Sequence, residues 1–318
     1  MFEPQAGARH VRPGALRGVY AILATPFLPD GSIDEASLRR LTTATLATGV
    51  DGVTVLGVAG EVHKLTDAER SRVLAAVIET VGGQVPVVAG TSRDGTDAAM
   101  VAAQETEAAG ATALMVAPPA FSQAGPSLTD HYWRIGDATG LPIVLQDFPP
   151  ANAVTLSPRA LADLVAAVPA IVTIKLEDPP TPLRIAQTLA LTGHQATMLG
   201  GLGGVYLLDE LRRGASGTMT GFAFPEILAA IWQAWDAGDT RAATDIYYRW
   251  LPLIAFEGQP KIGLAIRKEL LRRRGFIDHA TVRQPAAALT DEIQEDLEST
   301  LATLSLDPFR PPLTCAPS

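Results

Sequence analysis

Residues 171–179 read IVTIKLEDP, a short apolar run that ends in a lysine and is followed by acidic residues and a proline. Ile, Val and Thr favour β-strands, and a short apolar run bounded by turn residues is typical of a strand that is buried on both faces. Strands of that kind occur in parallel sheets that helices cover. The stretch therefore predicts a buried parallel strand over Ile171 to Lys175.

Seven similar runs occur along the chain, and each is followed by a segment with apolar residues at helical spacing. This alternation predicts βα units around a parallel sheet. Eight such units favour a closed (β/α)8 TIM barrel, with an open doubly wound sheet as the alternative architecture. The eight predicted strands are Val19 to Thr25, Gly52 to Leu56, Val85 to Ala89, Ala113 to Ala117, Pro142 to Leu145, Ile171 to Lys175, Ala196 to Gly200 and Gly214 to Thr218.

Two of the intervening helices carry signals at their first residues. Asp34 is an acidic cap for a helix predicted over 34–48. Thr66 and Glu69 have the spacing of a capping box at the start of a helix predicted over 66–81.

The domain organisation is predicted to be one barrel with additions at both ends. Residues 1–16 form a loose leader, 17–223 the (β/α)8 barrel, 224–305 a C-terminal helical extension and 306–318 a Pro-rich tail. Tryptophans at helical spacing in the extension indicate core packing or subunit contacts rather than a cofactor site. They are Trp232, Trp235 and Trp250.

Composition excludes several classes of protein. The 318 residues include 47% hydrophobic residues, enough for a large core, so intrinsic disorder is excluded. No apolar stretch reaches the roughly 18 residues that cross a bilayer, and no signal peptide is visible. Asp and Glu total 34 against 25 Lys and Arg, without the basic patch of a nucleic-acid binder. The single cysteine, Cys315, permits no intrachain disulfide. We expect a soluble, cytoplasmic protein.

Catalytic residues of a TIM barrel lie at the C-terminal ends of its strands, so Lys175 is the first candidate. It is one of only four lysines in the chain. A deprotonated lysine amine at such a position attacks carbonyl groups. Alternation along a strand places Lys175 and Glu177 on the same side. The residues alone also leave open a plain ion pair with Glu177, or a lysine that extends to solvent.

Glycine-rich turns follow strands two and seven. The turn of Gly57, Val58, Ala59, Gly60 and Glu61 can expose backbone N–H groups to a carboxylate or phosphate, or be a plain connection. After strand seven, Gly200 and Gly201 begin a cluster that does not match a dinucleotide fingerprint. Close approach of the backbone to a small ligand and a plain turn remain the two interpretations of that cluster. Thr218 ends predicted strand eight, and we expect it to contact the substrate together with these two turns.

Strand five ends in Gln146 and Asp147, and Asp147 is either a general base or a turn residue. The five histidines include no pair at metal-ligand spacing, so no metal is expected. One of them, His63, follows the strand-two turn and is either at the barrel opening or on the surface.

Four stretches together resemble the dihydrodipicolinate synthase and N-acetylneuraminate lyase superfamily of Schiff-base-forming barrels. They are the turn 57–61, the strand-five end before Pro149, the strand-six end at Lys175 and the run GASGTMTG at 214–221. The similarity covers about residues 16–305. It implies that Lys175 condenses with the ketone of pyruvate or another 2-keto acid while the turn binds the carboxylate. It also implies a homotetramer built as a dimer of dimers and a reaction without a cofactor.

The sequence departs from the synthases of that superfamily at their substrate-binding positions. Val58 and Ala59 replace two hydroxyl residues, which leaves backbone N–H groups to bind the carboxylate. Gln146 replaces a proton-relaying tyrosine, and Ala151 replaces the arginine that binds aspartate semialdehyde. Residues 119–120 replace an aromatic pair. True dihydrodipicolinate synthesis is therefore not expected.

The L-2-keto-3-deoxyarabonate dehydratase branch is similar at more positions, although it differs around 57–61. The similar stretches are 145–147 with Pro149, 174–177, 217–221 and 250–254 with Glu257.

The leading hypothesis is a class I lyase that dehydrates a 2-keto-3-deoxy sugar acid. Lys175 would form the imine, Glu177 would be the base or an ion-pair partner, and Gln146 could only form hydrogen bonds. The alternatives are a pyruvate-dependent aldolase, a dihydrodipicolinate synthase-like enzyme, and a non-catalytic ligand-binding barrel. No nucleic-acid or membrane partner is expected.

Overall fold

Eight parallel strands form a closed barrel in the structure, a computed structural model that describes residues 12–120 and 122–307. Neighbouring strands pair in the order β7-β6-β5-β4-β3-β2-β1-β8, and a bridge between Gly200 and Thr218 joins the two end strands. The predicted (β/α)8 barrel is confirmed, and the open doubly wound sheet is wrong. The strands are β1 (Gly18–Ile22), β2 (Gly52–Val55), β3 (Val87–Gly90), β4 (Ala113–Val116), β5 (Ile143–Asp147), β6 (Ile171–Leu176), β7 (Thr197–Leu199) and β8 (Gly217–Thr220).

Twelve α-helices occur in the described part of the chain, and most of them return the chain between strands. In order they are α1 (Glu35–Leu46), α2 (Asp67–Val81), α3 (Thr96–Ala109), α4 (Pro126–Asp137), α5 (Pro149–Asn152), α6 (Pro158–Ala167), α7 (Thr181–Thr192), α8 (Leu207–Arg212), α9 (Pro225–Asp236), α10 (Thr240–Glu257), α11 (Gly263–Arg273) and α12 (Asp291–Thr303). Short 3-10 turns occupy Val58–Gly60, Val62–Lys64 and Leu202–Gly204.

Side-chain caps fix where two of these helices begin, as their sequences predict. Asp34 Oδ1 accepts a hydrogen bond from the Ser37 amide at 2.9 Å, ahead of α1. Thr66 and Glu69 form both bonds of a capping box ahead of α2. These bonds satisfy amides that have no partner within the first helical turn.

Two apolar clusters form the core. The smaller one fills the barrel, with Tyr20 and Ile22 of β1, Met115 of β4, Leu199 of β7 and Met219 of β8. The larger cluster joins the outer faces of the strands to the helices. This division follows from the alternation of side chains along each strand, and it places every second strand residue inside the barrel.

The C-terminal extension, α9 to α12, packs on the barrel core. Trp250 and Trp232 are buried, and Trp235 packs partly buried against the same core. The predicted packing role of these tryptophans is confirmed, whereas a role in subunit contacts stays a prediction.

Every predicted strand differs from the structure by one to three residues at one boundary or both, and the eighth and third strands show why. The eighth strand begins at Gly217 rather than at Gly214, because Gly214 has a φ of 97° and belongs to the turn after α8. It ends at Thr220, two residues beyond the predicted end. The third strand begins at Val87, since Pro86 cannot donate a hydrogen bond to a ladder.

Most of the predicted leader and tail, with Cys315, lies outside the described residues. Over residues 12–120 and 122–307, no helix is long and apolar enough to cross a membrane. The same residues contain no group of three or more His, Cys, Asp or Glu side chains that could hold a metal ion.

Candidate active site

A cavity of about 750 Å³ lies where the C-terminal ends of the strands meet the extension, and we call it the mouth cavity. Its barrel side consists of strand ends and the turns that follow them. Its other side consists of residues between α10 and the segment before α12. The lining includes Ile22, Val58, Ala59, His63, Gln146, Lys175, Glu177, Thr220, Gly221, Glu257, Lys261 and Arg267.

Three polar side chains, from β5, from β6 and from the residue just after β6, meet at the base of the mouth cavity. Lys175 Nζ lies 2.7 Å from Glu177 Oε2, and the two side chains are only 3% and 7% exposed. Gln146 Nε2 donates a hydrogen bond to the same Glu177 oxygen at 2.9 Å. Gln146 and Lys175 are register partners in neighbouring strands, and Glu177 follows Lys175 by two residues. The strand geometry therefore brings an amine, a carboxylate and an amide together.

The glycine after β7 allows Glu177 to lie in this position. A Cβ atom on Gly201 would lie 2.4 Å from Glu177 Oε1. The amide of Leu202 donates to the same oxygen at 3.4 Å. Gly201 thus approaches the carboxylate of the protein itself rather than the cavity.

The turn after β2 presents its backbone to the mouth cavity. The amides of Gly60, Glu61 and Val62 donate to carbonyl groups within the turn. In the described part of the chain, the amides of Val58 and Ala59 donate no hydrogen bond to protein. Both residues line the cavity, so their amides are available to an anionic ligand.

The structure places the Glu61 carboxylate outside the cavity lining, although the residue belongs to this turn. Glu61 has a left-handed backbone with φ 58° and is fully buried. Its oxygens accept hydrogen bonds from Lys268 Nζ at 2.5 Å, Lys64 Nζ at 3.0 Å and the Arg283 amide at 3.0 Å. The carboxylate therefore ties the turn to α11 and to the segment before α12.

Asp147 also lies outside the cavity, because it follows Gln146 and points to the opposite face of β5. Its Oδ2 lies 2.9 Å from an Nη atom of Arg184 on α7. Burial raises the pKa of Asp147 to about 6, although Arg184 opposes the shift. The side chain contacts the helix layer, so the predicted base role has no geometric support.

Four further predicted residues shape the strand ends without lining the mouth cavity. Gly57 packs on Ile22, and Gly60 packs on the Leu23 carbonyl group just after β1. A Cβ atom on Gly200 would lie 1.8 Å from Glu210 Oε2. Thr218 is fully buried within β8. Thr220, at the true end of β8, lines the cavity instead and accepts a hydrogen bond from the Gly203 amide at 2.8 Å.

Sequence reasoning assigned no site role to the residues that the extension contributes to the cavity, although Glu257 belongs to a stretch that is similar to the dehydratase branch. Glu257 ends α10 and Arg267 lies in α11, where polar residues at helical spacing are ordinary surface features.

His63 lines the cavity, and burial, assisted by the charge of Lys64, lowers the pKa of its imidazole. A neutral imidazole at pH 7 can donate or accept a hydrogen bond there.

Residues 15–304 match the Dihydrodipicolinate synthetase family. The chain belongs to this family. The resemblance inferred from its motifs is thereby confirmed, and so is the predicted class of enzyme, a lyase.

Three relatives illustrate the range of the family. An L-2-keto-3-deoxyarabonate dehydratase of Azospirillum brasilense is 30% identical over 286 residues, which are 88% of this chain and 92% of the relative. A 4-hydroxy-tetrahydrodipicolinate synthase of Stenotrophomonas maltophilia is 37% identical over 207 residues, 65% of this chain and 69% of the relative. The crystal structure of a dihydrodipicolinate synthase from Rhodopseudomonas palustris superposes with a TM-score of 0.85 at 33% identity, covering 93% of this chain and 99% of the other.

Proposed function

We propose that the protein is a Schiff-base-forming lyase that dehydrates a 2-keto-3-deoxy sugar acid. The observation that carries this proposal is the Lys175 amine, buried at the barrel mouth 2.7 Å from the Glu177 carboxylate. A lysine in contact with a base is the arrangement that imine chemistry needs, because only the deprotonated amine attacks a ketone. The dehydratase relative supports the substrate class.

The amides of Val58 and Ala59 bind the C1 carboxylate of the substrate in this proposal. Both residues line the mouth cavity, and the turn that holds them is fixed by the buried Glu61 carboxylate. An oriented pair of backbone N–H groups stabilises a carboxylate without a positive side chain. The C2 ketone then faces Lys175.

Imine formation begins with transfer of a proton from Lys175 to Glu177. The free amine adds to C2, and one of its protons moves to the oxygen to give a hydroxyl group. The proton on Glu177 then passes to that hydroxyl group, which leaves as water. The product is a protonated imine, and Glu177 is again a carboxylate. The positive nitrogen makes the C3 hydrogen atoms acidic, because it accepts the electron pair that their removal leaves behind.

Elimination follows from the same pair of residues. Glu177 takes a proton from C3, which gives an enamine with a neutral nitrogen. The enamine electrons expel the C4 hydroxyl group, which leaves as water with the proton from Glu177. Hydrolysis of the imine then releases an unsaturated 2-keto acid and restores Lys175. Overall, one substrate molecule gives one water molecule and one unsaturated 2-keto acid.

Gln146 favours dehydration over retro-aldol cleavage. Cleavage of the C3–C4 bond requires a base for the C4 hydroxyl proton. A carboxamide cannot accept that proton, and Glu177 already serves as the base for C3 in this proposal. Gln146 instead donates to Glu177 at 2.9 Å and orients the carboxylate. Ala151, in the short helix α5 after β5, provides no charge for aspartate semialdehyde. The proposal therefore ranks the aldolase and the synthase-like enzyme behind the dehydratase.

Reduction with borohydride tests the imine. We expect incubation with pyruvate and borohydride to give a stable adduct that peptide mass spectrometry assigns to Lys175, and Lys175→Arg to give none. Lys261, a second lysine of the mouth cavity, provides the matched control, and Lys261→Arg should keep the adduct. Absence of an adduct with pyruvate and with 2-keto-3-deoxy sugar acids, alongside saturable binding, would establish the non-catalytic ligand-binding barrel instead.

Product analysis separates the remaining alternatives. A panel of 2-keto-3-deoxy sugar acids should yield dehydrated product without pyruvate, whereas stoichiometric pyruvate release would identify an aldolase. The homotetramer built as a dimer of dimers is part of the proposal, and a 33 kDa species alone in sedimentation at micromolar concentration would contradict it. A cytoplasmic location stays a prediction.

A further inference from the structure

A second buried ion pair lines the mouth cavity, above the end of β8. Arg267 Nε lies 2.5 Å from Glu257 Oε1, and the other Glu257 oxygen accepts a hydrogen bond from the Ala223 amide at 2.9 Å. Glu257 is 1% exposed and Arg267 is 9% exposed. Neither residue takes part in the imine chemistry proposed above, yet both are held rigidly in the cavity wall.

Arg267 retains donors that the protein does not use. A guanidinium group has five N–H donors, and the pair with Glu257 occupies the one on Nε. Across residues 12–120 and 122–307, no hydrogen bond or ion pair of the Nη atoms is present. In the described residues, the fully buried polar atoms that lack a partner do not include these Nη atoms, so they reach the cavity that Arg267 lines and can donate to a ligand there.

The backbone makes room for this arginine. A Cβ atom on Gly221 would lie 2.3 Å from an Nη atom of Arg267, so only glycine permits the guanidinium group to lie against the end of β8. Gly221 itself lines the mouth cavity. Glu257 at the end of α10 and Gly221 after β8 therefore both determine the position of Arg267.

The charge of the cavity wall is opposite to that of the whole chain. Four basic side chains, Lys64, Lys175, Lys261 and Arg267, line the cavity with two acidic ones, Glu177 and Glu257, and Lys64 is also paired with the buried Glu61 behind the lining. The chain as a whole has a net charge of -9. A local excess of positive charge within an acidic protein attracts anionic ligands. One carboxylate of a 2-keto acid, bound at Val58 and Ala59, leaves the Nη donors of Arg267 without a ligand.

The spacing suits one substrate that reaches both groups. β8 is two strands from β6 around the barrel, which corresponds to roughly 10 Å between the backbones of the two strands, and Lys175 and Arg267 line the same cavity. An extended carbon chain advances about 1.2 Å per bond, and an arginine–carboxylate contact adds about 2.8 Å. A chain of five or six carbons therefore spans most of the distance.

We propose that Arg267 is a specificity-determining residue that binds a second carboxylate at the far end of the substrate. The substrate is then a dicarboxylic 2-keto-3-deoxy acid, an assignment that rests on the proposed function. Because Glu257 already neutralises one edge of the guanidinium group, the remaining Nη donors suit a carboxylate with a single charge. Gly221 and the Glu257 pair position the group, and Lys175 performs the chemistry.

Equilibrium binding of two matched six-carbon acids tests this assignment. Calorimetry with 2-ketoadipate and 2-ketohexanoate compares the same chain with and without the terminal carboxylate. We expect the wild-type protein to bind 2-ketoadipate about tenfold to a hundredfold more tightly, the range for a charged hydrogen-bonded pair. Arg267→Met should reduce this ratio to near one. Arg241→Met, which changes an arginine that is 92% exposed on α10, should keep the wild-type ratio.

Arg267→Met leaves the Glu257 carboxylate buried without its partner, so this variant could fail to fold. A second variant keeps the test decisive in that case. Arg267→Met combined with Glu257→Gln removes both charges together, and it should lose the preference in the same way. Equal binding of the two acids by the wild-type protein, or a preference that survives in both variants, would overturn the assignment. Borohydride trapping with pyruvate is a separate measurement. If no imine is trapped but the preference for 2-ketoadipate still depends on Arg267, the proposed chemistry is rejected and the role of Arg267 is kept.

Discussion

Replacing Lys268 by methionine tests whether the turn after β2 depends on a buried ion pair. Lys268 Nζ donates to Glu61 Oε1 at 2.5 Å and to the carbonyl groups of Thr25 and Thr281, each at 2.8 Å. Methionine has a similar length and no donor, so the variant deprives one buried carboxylate and two carbonyl groups of a partner. Breaking a buried pair from one side costs about 3–5 kcal/mol.

The expected loss lies at the lower end of that range, because Glu61 keeps other partners. Lys64 Nζ and the Arg283 amide each remain 3.0 Å from Glu61 Oε2. We expect Lys268→Met to lower the free energy of unfolding by about 3 kcal/mol, measured by urea denaturation with circular dichroism. The concentration of pyruvate that gives half-maximal trapping should rise severalfold, since the turn that binds its carboxylate loses its anchor.

A double-mutant cycle with Glu61→Gln separates the pair from simple packing. Each single variant leaves the opposite charge buried alone, whereas the double variant removes both charges. The double variant should therefore lose about 2 kcal/mol less than the sum of the single variants. Additive losses, or a loss below about 1 kcal/mol for Lys268→Met, would refute the reasoning.

Four further outcomes follow from the site and the core. Glu177→Gln should slow the exchange of pyruvate C3 hydrogen atoms with D2O by about 10², and exchange at the wild-type rate in a folded variant would make the carboxylate structural. Gly201→Ala should slow the same exchange at least about tenfold by displacing Glu177, with unchanged circular dichroism; wild-type exchange would show that the loop yields instead. Burial raises the pKa of Glu210 from 4.5 to about 8, so the folded protein holds a proton that the unfolded chain has released, and stability falls as pH rises through that interval. Glu210→Gln should remove this decrease in the free energy of unfolding, which is at most about 5 kcal/mol. The prediction is contradicted if the urea midpoints of the wild-type protein and the variant change in the same way from about pH 5 to about pH 8. Trp250→Ala should cost about 3–5 kcal/mol in urea denaturation because Trp250 is 2% exposed, and a loss under about 1 kcal/mol would mean that the core collapses around the gap.

The barrel could be predicted because its information is local. Each strand is a short run whose composition marks it without knowledge of its neighbours, as 171–176 does. The contact between Lys175 and Glu177 follows equally from alternation within one strand. The first residue of β8 was predicted too early because the sequence from Gly214 to Thr218 is compatible with a strand. Only the pairing of Gly217 with Gly18 determines where the strand begins.

Long-range pairs account for what the sequence could not show in the site. The partner of Glu61 is Lys268, 207 residues further along the chain, and the partner of Asp147 is Arg184, 37 residues away. No local pattern identifies either pair. Both acidic residues were therefore candidates for substrate contact or catalysis at the sequence level, and the structure shows them bound to basic side chains of the protein.

The mouth cavity has two walls that come from separate, contiguous stretches of chain. Strand ends up to Gly221 form one wall, and residues from Glu257 to 287 form the other. The amine and its carboxylate partner belong entirely to the first stretch, whereas the vacant guanidinium donors belong to the second. The reacting groups and the groups that face the rest of a ligand therefore lie on different stretches, although the turn after β2 is anchored by Lys268 and Arg283 of the second stretch. A chimera that joins this barrel to the helical extension of a relative would keep its reaction and acquire a new range of substrates only if that extension retains a lysine at the position of Lys268.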